Sequence, residues 1–129
     1  MMAKVDTMPN TCNICGGLVE YIENSKIYGK SYGSGYCYHC TKCNAYVGTH
    51  KTSPKVAMGL LANKRMRTLK MNCHDIFDKY WTNAKERNAL YRKLAEEMVI
   101  PQNECHFGWF DETLLEKALV ILKNWEANV

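Results

Sequence analysis

The chain has 129 residues, is 47% apolar and 23% charged, and carries a formal net charge of +4. That length has room for one compact domain, or for a small metal module fused to a helical one. No apolar run is long enough to span a bilayer and residues 1–9 show no signal-peptide pattern. A soluble cytoplasmic protein with no membrane partner is therefore expected.

In chain order, residues 1–10 read as a flexible leader. Cys12-Asn13-Ile14-Cys15 follows, and Gly16 and Gly17 suit a tight turn behind it because glycine reaches positive φ. Leu18-Val19-Glu20-Tyr21-Ile22-Glu23 alternates as a strand. Asn24-Ser25-Lys26 reads as a turn, and Ile27-Tyr28 as a continuation of the strand system. Residues 29–35 are rich in Gly, Ser and Tyr and predict a loop. Tyr36-Cys37-Tyr38-His39 predicts a strand into Cys40-Thr41-Lys42-Cys43, and Ala45-Tyr46-Val47-Gly48-Thr49 a strand out of it. Residues 52–55 read as a break.

Beyond that break the pattern turns helical. Met58, Leu61 and Ala62 suggest a short turn or helix. Residues 63–74 predict a helix with Met66, Leu69 and Cys73 on one face. The segment to Tyr80 continues it, with Phe77 and Trp81 apolar. Thr82 or Asn83 can cap the next helix, with Glu86 placed to complete a capping box from Asn83, and that helix runs to about Val99 and is stopped by Pro101. Its stripe is Leu90, Tyr91, Leu94, Ala95 and Met98. After a connection over residues 102–109, Asp111 caps a last helix to about Trp125, with Leu114, Leu115, Ala118, Leu119, Leu122 and Trp125 inward.

The two Cys-x-x-Cys pairs enclose 24 residues (16–39). Cys12, Cys15, Cys40 and Cys43 are expected to bind one structural Zn2+ in a tetrahedron. The alternatives are two disulfides or free buried thiols, but nothing in the chain looks secreted. Cys37 and Cys40 also stand as Cys-x-x-Cys, so the register can slip. Cys40 with Cys43 is preferred because residues 44–47 then leave the turn as a strand. His39 is a weaker substitute ligand. The fold class expected is α+β: a zinc ribbon of about three antiparallel strands over residues 11–52, packed on three to four helices over residues 53–129.

Several of these stretches together resemble the zinc-finger-containing domain family of small bacterial and phage proteins. They are the two cysteine pairs, Ile27-Tyr28-Gly29-Lys30-Ser31-Tyr32-Gly33, Cys43-Asn44-Ala45-Tyr46-Val47-Gly48-Thr49-His50-Lys51 and Gly59-Leu60-Leu61-Ala62-Asn63. To these add His74 with Phe77-Asp78 and Trp81, and Glu104-Cys105-His106-Phe107-Gly108-Trp109-Phe110-Asp111. The resemblance spans roughly residues 11–122. It implies a zinc-ribbon-like first part and a helical remainder, and no established reaction.

Charge is unevenly placed. Residues 51–81 hold seven Lys/Arg against two Asp/Glu, while residues 82–129 hold six against eight. Lys51, Lys55, Lys64, Arg65, Arg67 and Lys70 are the candidates for phosphate contact, and Tyr32 and Tyr36 for stacking on bases. Nucleic acid is the first partner expected. A protein partner is the second, with Trp109, Phe110 and Trp125 as anchors if exposed. An enzyme is the third. It would use His50, His74 and His106 with Asp78, if those rings converge. More ordinary roles for each histidine are capping or core hydrogen bonding, and Cys105-His106 is a weak further ligand pair. The chain lacks a phosphate loop, a nucleophile elbow and a His-Glu-x-x-His motif.

Overall fold

The computed structural model describes residues 5–127. The chain divides into two compact units, one ending at Lys64 and the other beginning at Arg65.

The amino-terminal unit is built on a four-stranded antiparallel sheet. Its strands are β1 (Val19–Glu23), β2 (Tyr36–Cys40), β3 (Tyr46–His50) and β4 (Ser53–Ala57), side by side in that order. Register places Val19 opposite Cys40, Tyr21 opposite Tyr38, and Tyr38 opposite Val47. Side chains alternate across a strand. Tyr38, Cys40 and Val47 therefore share one face, where Cys12, Ala45, Ala57 and Leu61 complete a small core. Cys37, His39 and Tyr46 point to the other face. The sheet is curled: the Tyr21 hydroxyl on β1 donates to the Pro54 carbonyl on β4 at 2.6 Å, and the Tyr38 hydroxyl to that of Lys55 at 2.6 Å.

Three local expectations are corrected here. Residues 53–57 form a strand, not a break. Pro54 hides β4 in the sequence, and an edge strand tolerates it because one side of that strand needs no donor. Leu61 and Ala62 are not helical. The Asn13 amide clamps Leu61, donating to its carbonyl at 3.0 Å and accepting from its N–H at 2.9 Å. Ala62 bridges back to Tyr46. The compact unit thus closes at Lys64 instead of residue 52. Ile27 and Tyr28 do not extend a strand. They lie in the one-turn helix α1 (Ser25–Tyr28), because both their N–H groups bond to the Asn24 carbonyl at 3.0 Å.

Part of the leader expected over residues 1–10 lies outside the described residues. Within them, the Thr7 carbonyl accepts from Ala57 N–H and the Asn10 carbonyl from Val19 N–H, which ties this stretch to the sheet.

The second unit holds most of α2 (Lys64–Phe77), with α3 (Ala84–Met98) and α4 (Glu112–Ala127), joined through short 3-10 turns. The expected caps are present. The Asn83 side chain accepts from Glu86 N–H at 2.9 Å, and Asp111 from Leu114 N–H at 2.9 Å. Glu86 reaches past Asn83 to the Thr82 N–H and hydroxyl. The buried stripe of α2 is Met66, Leu69, Cys73, Ile76 and Phe77, and that of α4 is Leu115, Ala118, Leu122 and Trp125. No described helix is long and apolar enough to cross a membrane.

Candidate metal centre

The two cysteine pairs sit in matching turns. In the first, Cys12 N–H donates to the Gly17 carbonyl and Gly16 N–H to the Cys12 carbonyl. In the second, Cys40 N–H donates to the Ala45 carbonyl and Asn44 N–H to the Cys40 carbonyl. The residue after each second cysteine is left-handed: Gly16 at φ 75° and Asn44 at φ 66°. Glycine and asparagine are the residues that take this conformation at least cost. Gly17 has a different reason to be glycine. A Cβ there would stand 2.7 Å from Lys42 Cβ and 3.0 Å from Cys40 Sγ. The two turns approach each other through that gap.

The four sulfurs all lie within 4.8 Å of one another. Cys12 and Cys43 are 3.8 Å apart at Sγ, and Cys15 and Cys40 3.5 Å. A tetrahedron with metal–sulfur bonds of about 2.3 Å has sulfur–sulfur edges of about 3.8 Å. Backbone N–H groups point at the sulfurs: Ile14 to Cys12 and Gly17 to Cys15 at 3.3 Å, and Lys42 and Cys43 to Cys40 at 3.4 Å. Such donors favour the thiolate, which is the form that binds metal. The Cys43 N–H, with that of Lys42, holds the Cys40 thiol down to about 6. The donor set, spacing and charge fit one structural zinc ion. Four sulfurs close the coordination sphere and leave no position for water or substrate.

Cys37 is excluded from the site. A strand turns residues three apart to opposite faces, so Cys37 lies behind the sheet, fully buried, and burial pushes its thiol up. His39 is not a ligand either. Its Nδ1 lies 2.9 Å from Glu20 Oε1 and its Nε2 3.2 Å from Asn44 Oδ1, so the ring braces the left-handed Asn44. Cys73 and Cys105 belong to the helical unit, where burial raises both thiols to about 11.

The remaining candidates fall in both units. His50 ends β3 in the amino-terminal unit. His74 meets Phe107 edge-on, and burial lowers its pKa before the opposing pull of Asp78. Asp78 Oδ2 lies 3.8 Å from His74 Nδ1, one helix turn away, and its Oδ1 accepts from the Trp81 indole at 2.9 Å. His106 packs on Trp109, with Nε2 3.1 Å from the Asn103 carbonyl. Each of these two rings in the helical unit thus has a packing role. Phe110 and Trp125 are buried at 0% and 7% exposure, so neither meets the condition of exposure set for an anchor, while Trp109 is half-buried. Trp125 uses its indole N–H on Glu97.

Tyr32 and Tyr36 belong to different ring clusters. Tyr36 stacks on Tyr21 at 5.2 Å, on the face that carries Tyr38. Tyr32 meets Tyr28, which meets Tyr46 on the opposite face. Lys51, Lys55, Lys64 and Arg65 are exposed. Arg65 pairs with Glu116 at 3.1 Å. Lys70 is partly buried, and desolvation, then Arg67, lowers its pKa. The sequence reading missed Asn13, Asn24 and the His39–Asn44 brace. The Asn13 clamp depends on a partner 48 residues away, which no local pattern records.

Two cysteine turns on a curled antiparallel sheet, with four sulfurs in one tetrahedron, define a zinc-finger module whose metal holds the fold. The chain belongs to the zinc-finger-containing domain family, which matches residues 8–125. No curated protein and no solved structure matches it.

Proposed function

We propose that the protein binds nucleic acid without strong sequence preference, and that its zinc takes no part in chemistry. One observation carries this reading. The first turn of α2 contains Lys64, Arg65 and Arg67 and no acidic residue. Three cations on one turn are the clustered Lys/Arg that phosphate neutralisation requires. The Arg65–Glu116 pair is exposed, and a phosphate can replace Glu116 at small cost. Lys51 and Lys55, on the β3–β4 hairpin, add exposed charge of the same sign. Lys70 is a weaker contact because it is partly buried.

Fluorescence anisotropy on labelled oligonucleotides tests this. Affinity should fall steeply with salt. Lys64→Glu with Arg67→Glu should weaken binding at least tenfold and flatten the salt slope by about one to two. Salt-independent or absent binding overturns the reading.

A protein partner is the second reading, and Val99 favours it. This β-branched residue is 85% exposed and left-handed at φ 60°. A partner that covers this side chain would offset the cost of that conformation. Recovery of one stoichiometric partner from nuclease-treated lysate, lost on Val99→Asp, supports it. Equal recovery by the variant removes Val99 from it.

A further inference from the structure

The connection from β1 to β2 is a built platform. Asn24 is only 4% exposed. Its side chain donates to the Tyr32 carbonyl at 2.8 Å and accepts from Tyr32 N–H at 3.2 Å. Its backbone N–H donates to the Gly35 carbonyl at 2.9 Å, which closes the loop at its base. Gly29, Gly33 and Gly35 stand at φ 82°, 53° and 87°. A buried amide and three left-handed glycines thus fix one backbone shape.

That fixed backbone displays aromatic rings to water. Tyr28 and Tyr32 are 42% and 50% exposed. They meet edge to face at 5.4 Å, and Tyr28 meets Tyr46 at 5.6 Å, so the pair is anchored to the sheet on one side. Lys30 Nζ lies 5.2 Å from the Tyr32 ring centre, and Lys26 is exposed on the same loop.

We propose that this loop is a stacking site for single-stranded nucleic acid, with Tyr32 and Tyr28 receiving bases and Lys30 and Lys26 holding the adjoining phosphates. The proposal rests on the nucleic-acid reading above and gives it a location and a strand preference. Every base offers a ring face, so stacking tolerates sequence, whereas bases within a duplex are already stacked on one another. Tyr36 is not part of the site, because it lies on the other face and already stacks on Tyr21.

The test is anisotropy with the full chain, using oligothymidine, oligouridine and a duplex of about 20 nucleotides. Zinc content and circular dichroism check each variant's fold. Tyr32→Ala should weaken single-strand binding about tenfold or more, while Tyr32→Phe, which keeps the ring, stays near wild type. Lys30→Ala should reduce the salt slope by about 0.7. Dependence on Tyr32 with either oligomer supports the site, and the tighter of the two names the sugar. If wild type binds single strands and Tyr32→Ala binds equally well, the loop is not the site, although nucleic-acid binding stands. If wild type binds none of the probes, the reading under Proposed function falls and this site falls with it.

Discussion

The amino-terminal unit packs Tyr38 among cysteines, alanines, Val47 and Leu61. The helical unit buries Phe77, Phe107, Phe110, Trp125 and several leucines. Two units of similar length therefore hold together by different means. About 60 residues of sheet and loop with so few large apolar side chains fall below what burial alone readily stabilises, and metal–sulfur bonds supply the difference. The helical unit needs no such help, because each fully buried leucine or phenylalanine adds about 1.5–3 kcal/mol.

The largest expected effect follows from that contrast. Zinc removal by a chelator, or Cys40→Ser, should unfold the sheet unit, since metal binding worth about 10–16 kcal/mol in small zinc modules exceeds such a unit's whole stability. Amide resonances of β1 to β4 should collapse while the helical signal at 222 nm largely persists. A sheet that survives with its dispersion intact would show that its core suffices without metal.

Leu122→Ala makes the complementary break. Leu122 is fully buried on α4, and truncation should cost about 2–5 kcal/mol in a denaturant melt. Zinc stoichiometry should stay at one. Loss of zinc in this variant would mean that the two cores are not separately maintained.

Gly17→Ala sharpens the comparison at the metal end. The added methyl meets Lys42 Cβ at 2.7 Å, closer than carbons approach, and Cys40 Sγ at a tight 3.0 Å, so the two turns must move apart. A cost of about 1–3 kcal/mol is expected, with weaker zinc retention in a chelator competition. Unchanged retention would show that the turns can separate without losing the tetrahedron.

The sequence was most legible where a local pattern carries the whole signal. The four ligands follow from spacing, β1 from alternation, β2 and β3 from their places on either side of the second cysteine pair, and α3 and α4 from stripes with Asn83 and Asp111 at their starts. β4 was illegible because Ser53-Pro54-Lys55-Val56-Ala57 has neither period nor β-rich composition, and its place comes from pairing with β3. The tyrosines were readable as a cluster but not as two faces. Their division depends on the Tyr38–Val47 register and on the one-turn helix that carries Tyr28 across to Tyr46. The histidines looked alike in sequence, yet His39 braces a zinc turn while His74 and His106 pack on aromatic rings.

The smallest effect concerns the helical unit and should raise its stability. Val99 closes α3 at φ 60° and ψ 48°, and its N–H bonds to the Ala95 and Glu96 carbonyls. A left-handed residue in this place completes the helix end, and glycine is the usual choice. With a Cβ the conformation costs about 1–2 kcal/mol, and valine's exposed side chain recovers little of it by burial. Glycine relieves that strain but gives the unfolded chain more freedom, which returns about 0.5–1 kcal/mol. Val99→Gly should therefore raise the urea midpoint by the equivalent of about 0.5–1 kcal/mol with no change in slope, and leave zinc content untouched. A lower midpoint would mean that the valine side chain makes a stabilising contact.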